Sequence, residues 1–102
     1  MKFYIWLDDI RDSPYTKNTF HTHSVNETIN VIINKEKEGY NEFELNLDHD
    51  LGDYYKDGGD GYKLILWLIE TERNNFNYNI KLHTQNVVGR ENMSALVKRY
   101  WH

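Results

Sequence analysis

The chain has 102 residues, enough for one small domain and no more. Lys and Arg number 12 against 16 Asp and Glu, a formal net charge of −4, which excludes the broad basic surface that duplex binding requires. There is no cysteine, so disulfide scaffolds, thiolate metal sites and Cys nucleophiles are excluded, and the 15% aromatic content argues against disorder.

In chain order, Phe3 to Leu7 is apolar throughout and predicts a strand buried on both faces. It meets acid at Asp8-Asp9, too soon for a signal peptide. Nothing in the chain approaches the roughly 18 apolar residues of a membrane span, so a cytoplasmic protein without membrane contact is expected. Ile10 to Asn18 holds the only proline, Pro14, and no helical stripe; it is expected as a loop. Thr19 to Thr22 is a weaker strand, and His21-Thr22-His23 fits its half-exposed end better than a metal site. Ser24, with Glu27 three residues on, has the capping-box pattern, and Val25, Ile29, Ile32 and Ile33 follow at helical spacing until Gly39.

Phe43 to Leu47 alternates as a strand and breaks into Asp48-His49-Asp50. Asp53 to Asp60 is expected as a mobile loop beside that acidic stretch, in the position of a lid. A second helix starts near Gly61 with Tyr62, Ile65, Leu66 and Ile69 on one face, widened by Leu64, Trp67 and Leu68. Asn79 to Leu82 predicts a further strand, which breaks into His83-Thr84-Gln85-Asn86. A third helix is expected from about Glu91, with Met93, Leu96, Val97 and Tyr100 on one stripe.

Strands alternating with helices imply right-handed crossovers and a parallel sheet. Such sheets place their working site at the carboxyl ends of the strands. Those ends carry Asp8-Asp9, Asp48-His49-Asp50 and His83 to Asn86, three polar clusters far apart in sequence. They are expected to meet at one edge, with Asp53, Asp57 and Asp60 crowding the same place.

An acid pair after the first strand, an acid after a middle strand and Thr after the next resemble the receiver fold of two-component response regulators. The resemblance implies that Asp8, Asp9 and Asp48 hold Mg²⁺, that Asp48 sits at the phosphoacceptor position, that Thr84 matches the receiver Thr, and that Asp60-Gly61 opens the following helix. It implies a three-layer, flavodoxin-like α/β fold of about four parallel strands, truncated at its C-terminus before the strand that carries a receiver's Lys. Phosphoacceptor signalling through Asp48 is therefore the least favoured reading.

A larger set of matches resembles the cyclic-phosphate processing receiver domain family, short receiver-like proteins of bacteria and phages. These are Trp6 to Asp9 with Arg11, Leu47 to Gly52, Gly61-Tyr62, and His83, Thr84, Asn86, Gly89, Arg90 and Met93. The resemblance covers nearly the whole chain and implies action on a cyclic phosphate, at an RNA end or in a cyclic nucleotide.

Hydrolysis of a cyclic phosphodiester needs neutralised phosphate oxygens, an activated water and a protonated leaving group. Asp8, Asp9 and Asp48 are hard oxygen ligands suited to Mg²⁺ or Mn²⁺. His49, His83 and Asp50 are candidates for acid and base. Arg11, Thr84, Asn86, the Gly89 amide and Arg90 are candidates to hold phosphate beside the third helix's start. The expected partner is a phosphate-containing small molecule or an RNA end, with no extended nucleic-acid surface. The alternative is a binding module that captures such a ligand, or a protein, without turnover. Either the second helix or Tyr100-Trp101 could supply a homodimer interface.

Other motifs fail. His21-Thr22-His23 and His83-Thr84-Gln85 place Thr one position too early for a two-histidine phosphoesterase. A calcium loop from Asp48 would have Asp53 and Gly59 where Gly and Glu are required. Gly58 to Gly61 lacks the Gly-Lys-Ser/Thr of a phosphate-binding loop.

Overall fold

The computed structural model describes residues 1–14 and 18–102. Strands β1 (Lys2–Leu7), β2 (Thr19–Thr22), β3 (Glu42–Leu47) and β4 (Tyr78–Leu82) form one parallel sheet in the order β2-β1-β3-β4. Helices α1 (Val25–Lys37), α2 (Gly61–Glu70) and α3 (Val87–Tyr100) follow β2, β3 and β4. This is the receiver-like, flavodoxin-like α/β order expected, with β1 and β3 at the centre; of the three layers expected, the described residues supply the sheet and one helix layer. Part of the loop expected from Ile10 to Asn18 lies outside the described residues.

The strand period of two sorts side chains to two faces. Ile5, Leu7, Phe43, Leu45 and Leu47 point to one face and form a single core with Val25 and Ile32 of α1, Leu64, Ile65 and Leu68 of α2, and Met93 of α3. Fully burying one such side chain stabilises by about 1.5–3 kcal/mol. All three helices lie on this face, α2 between α1 and α3. The wide stripe of α2 follows from this central position.

The other face presents Tyr4, Trp6, Glu44, Asn46 and Lys81 and carries no helix among the described residues. The segment after β1 folds back at its carboxyl end, where the Trp6 indole N–H donates to the Arg11 carbonyl at 2.8 Å. Trp6 is accordingly 3% exposed. Away from that point an open groove of about 270 Å³ remains, lined by Tyr4, Trp6, Thr19, Glu44, Asn46 and Lys81 among others.

Two elements differ from the sequence reading. Helix α3 begins at Val87 rather than near Glu91, because Asn86 caps it: its side-chain oxygen accepts the Gly89 N–H at 2.9 Å. Its first-turn residues Val87 and Val88 are exposed, so no apolar stripe marks that turn. The stretch from Asp53 to Asp60 is not a free lid. It opens in a short 3₁₀ turn, Gly52–Lys56, and Asp57 then closes onto the start of α1. The Asp57 carboxylate accepts from Ser24 Oγ (2.6 Å) and Asn26 Nδ2 (3.1 Å), and its carbonyl accepts the Asn26 N–H. Ser24 caps α1 as expected, while Glu27 reaches back to the His23 amide.

At the amino-terminal edge of the sheet, Arg73 donates two bonds to Glu36, at 2.8 and 2.9 Å, and the Tyr78 hydroxyl donates to the same carboxylate. The Arg73 guanidinium also lies 4.5 Å from the Trp67 ring centre, and the Trp101 indole donates to the Tyr78 carbonyl. Among the described residues no helix is long and apolar enough to cross a membrane.

Candidate functional site

Leu7, Leu47 and Leu82 lie side by side on the last paired rung of the sheet. The next residue of each strand is Asp8, Asp48 and His83. Backbone bonds carry the ladder one step further: Asp48 N–H to Leu7 O and His83 N–H to Leu47 O. The alternation that sends the leucines into the core sends these three to the opposite face. One potential ligand atom from each lies within 4.8 Å of the others. The three strand-end clusters therefore meet, as expected from the sequence.

Asp8 is 2% exposed. Its Oδ1 accepts the amides of Ile10 (2.9 Å) and Arg11 (2.8 Å), which turns the chain sharply after β1. Its Oδ2 lies 3.0 Å from His83 Nε2 and 3.9 Å from Arg11 Nε. Burial raises its pKa, but the Arg11 and Ile10 amides and His83 outweigh that and hold the carboxyl below the usual range. Asp9 shifts the other way. Burial, with the charges of Asp8 and Asp48 beside it, pushes its pKa up against the pull of its own amide.

His83 is held on three sides. Its ring stacks on Trp6 with centroids 3.7 Å apart and planes 4° apart. Nδ1 lies 2.7 Å from the Asn46 side chain and Nε2 faces Asp8. Burial lowers its pKa, partly offset by Asp8 and Asp48. Nε2 faces Asp8 Oδ2 and Nδ1 faces Asn46 Oδ1, so each ring nitrogen meets an acceptor and the protonated one donates to it.

His49 is held in its own frame. Nδ1 lies 2.7 Å from Asp50 and Nε2 3.5 Å from Asp60, whose other oxygen is buried without a hydrogen-bond partner. Asn86 Nδ2 donates to both Asp50 oxygens, at 3.2 and 3.3 Å. His49 above all, with Asn86, holds Asp50 below the usual carboxylate range against the opposing effect of burial. Two glycines allow this packing. A Cβ on Gly89 would come within 2.5 Å of the His49 ring, and one on Gly61 would stand 2.0 Å from the Asp48 carbonyl oxygen.

An open cleft of about 300 Å³ at this edge is lined by Asp9, Arg11, Asp48, Asp50, Gly52, Thr84, Gln85 and Asn86. Neither imidazole lines this cleft: His49 is paired with Asp50 and His83 with Asp8. Of the residues expected to hold phosphate, Arg11, Thr84 and Asn86 line the cleft. The Gly89 amide is already given to Asn86. Arg90 turns back to donate to the Thr84 carbonyl at 2.6 Å, which fixes the turn into α3. Asp57 lies away at α1, and Asp60 meets the edge through His49.

Asn46, Trp6 and His21 belong to this environment and were not expected there; His21 Nε2 lies 2.8 Å from the Asp8 carbonyl. The signal for Asn46 was parity. It stands two residues before Asp48 in an alternating strand, hence on the same face. Nothing local marked Asp60 as a neighbour of His49.

No curated protein and no solved structure matched the chain. The profile of the cyclic-phosphate processing receiver domain matches residues 3–99. That match spans all four strands and all the site residues named above, and the chain belongs to the cyclic-phosphate processing receiver domain family.

Proposed function

We propose that this chain hydrolyses a cyclic phosphodiester, either an RNA 2′,3′-cyclic phosphate end or a cyclic nucleotide, with Mg²⁺ or Mn²⁺ at the carboxylates. The observation that carries the reading is the single rung Asp8–Asp48–His83, with ligand atoms within 4.8 Å, beside a cleft lined by Arg11 and Thr84. A phosphate approaching that cleft meets Asp9, Asp48 and Asp50, so charge must be offset. Burial, with the charges of Asp8 and Asp48, pushes Asp9 up, and a hard divalent cation held by Asp8, Asp9 and Asp48 would relieve it. Such a cation supplies neutralisation of the phosphate oxygens.

The remaining roles fall to side chains in place. Arg11 and Thr84 orient the phosphate. Asp50, exposed and fixed by His49 and Asn86, takes a proton from water as the water oxygen attacks phosphorus. The Asp50–His49 pair then returns that proton to the leaving alkoxide as the ring P–O bond breaks. The sum is one water added, giving a phosphomonoester and a free hydroxyl.

The test is turnover of 2′,3′-cyclic nucleotides, cyclic-phosphate-ended RNA and cyclic dinucleotides with each metal. Wild type is expected to open at least one of them, and Asp48→Asn to lose about 100-fold or more. No turnover of any, or an unimpaired Asp48→Asn, sinks the reading. A second reading, capture without turnover, is favoured by the absence of both imidazoles from the residues that line the cleft. Recovery of intact ligand from a tight complex would select it.

A further inference from the structure

We propose that Asn46 is a positioning residue for this site: it fixes the His83 ring, and through it the Asp8 carboxylate. The kinetic part rests on the phosphoesterase reading above; the structural part does not. Trp6, Asn46 and Lys81 occupy one rung of the sheet, two residues before the rung of Asp8, Asp48 and His83, and on the same face. Glu44, one step further back, is met by Lys2 at 3.6 Å and Lys81 at 3.5 Å, so its place is explained by charge. Asn46 meets no such charge. An amide in mid-strand is poorly suited to a sheet, and here it is half-buried beside the open groove. Its partner is His83 Nδ1, at 2.7 Å.

The ring so gripped spans β4 to β1 across β3, flat on the Trp6 indole, with Nε2 aimed at Asp8 Oδ2. Stacking fixes the plane of the ring but leaves rotation within the plane open. The Asn46 bond removes that rotation. Asp8 Oδ1 is tied by two amides, and the near contact at Oδ2 is His83 at 3.0 Å, with Arg11 Nε further off at 3.9 Å.

The test combines NMR and kinetics on Asn46→Thr, which suits a strand but cannot reach His83, and on Asn46→Leu. Lys81→Thr on the same rung is the control, and Asn46→Asp the isosteric rescue. Wild-type His83 ring protons are expected upfield, shielded by Trp6. Asn46→Thr and Asn46→Leu are expected to lose most of that shift, while Lys81→Thr and Asn46→Asp keep it. With a 2′,3′-cyclic nucleotide, kcat in Asn46→Thr should fall ~10-fold with KM within a factor of two. An unchanged His83 shift in Asn46→Thr overturns the proposal, as does an equal loss in Lys81→Thr. So does an unchanged kcat when wild type is active, because the grip would then be structural alone. If Asn46→Leu fails to fold, Asn46→Thr decides. If wild type turns over nothing, the phosphoesterase reading fails, and the NMR result alone decides whether Asn46 holds His83.

Discussion

The two ends of the sheet handle charge in opposite ways. At the amino-terminal edge one carboxylate, Glu36, meets one guanidinium and one hydroxyl, and the set is closed over by Trp67. Arg73 holds the Glu36 carboxyl below its usual range against burial. Burial and that carboxylate push the Tyr78 phenol up to about 12. At the carboxyl edge Asp8, Asp9, Asp48 and Asp50 gather beside a half-exposed Arg11, and Asp9 is pushed up rather than down. One edge is saturated with partners and serves the fold. The other leaves negative charge uncompensated, and such a place is where a ligand can contribute binding energy.

The largest expected effect erases the contrast by removing the acidic edge. Gly61→Ala puts a Cβ into the Asp48 carbonyl, and the loop that carries Asp48 and His49 must shift. We expect a loss of about 3 kcal/mol in urea unfolding. The far edge supplies the next effect. Glu36→Gln leaves Arg73 half-buried without its charged partner, at a cost of about 2 kcal/mol. The site should survive it, so turnover at 25 °C should stay within twofold of wild type.

Acid should affect the two edges in sequence. Asp9 has a raised pKa in the folded state, so its contribution is fully present below its ordinary value of 3.8 and lost as pH rises through the folded value. Glu36 is the reverse: its stabilisation is present above 4.5 and lost as pH falls through its lowered value. Lowering the pH should therefore first relieve the carboxyl edge and then undo the amino edge, with Asp8 adding to the later loss. Urea midpoints measured across pH 3 to 7 should show the later limb shrink in Glu36→Gln and the earlier one vanish in Asp9→Asn. The smallest effect sharpens the comparison. At neutral pH without metal, Asp9→Asn should stabilise by about 0.5 kcal/mol, opposite in sign to Glu36→Gln, and should reduce the stabilisation that added Mg²⁺ is expected to give wild type under the proposed function. Equal signs at the two edges would dissolve the distinction.

Much of this was legible in the sequence because parallel α/β sheets obey strong rules. Strand breaks into acid at Asp8 and Asp48 and into His83 were enough to predict one shared edge. Alternation sorted the core leucines from the site. What escaped was set by side chains reaching across that edge. The exposed valines that start α3 continue no apolar stripe, so Asn86 was expected to hold phosphate and its place as the cap of that helix went unmarked. His49 and His83 were expected as acid–base candidates, yet His83 is clasped by Trp6, Asn46 and Asp8, and His49 by its neighbour Asp50 with Asp60 beyond it. Asp57 looked like part of the acidic cluster, but the free donors at the start of α1 claimed it.

The chain topology also bears on how the site comes into being. β1 is bonded to β2 on one side and β3 on the other, and Asp8 meets His83 across a separation of 75 residues. No hairpin in this sheet can form early and template the rest. Loop closure over such spans is slow. The acidic rung should therefore assemble only as the chain crosses its main folding barrier. A probe of His83 during refolding is expected to follow the same single exponential as a probe of the core.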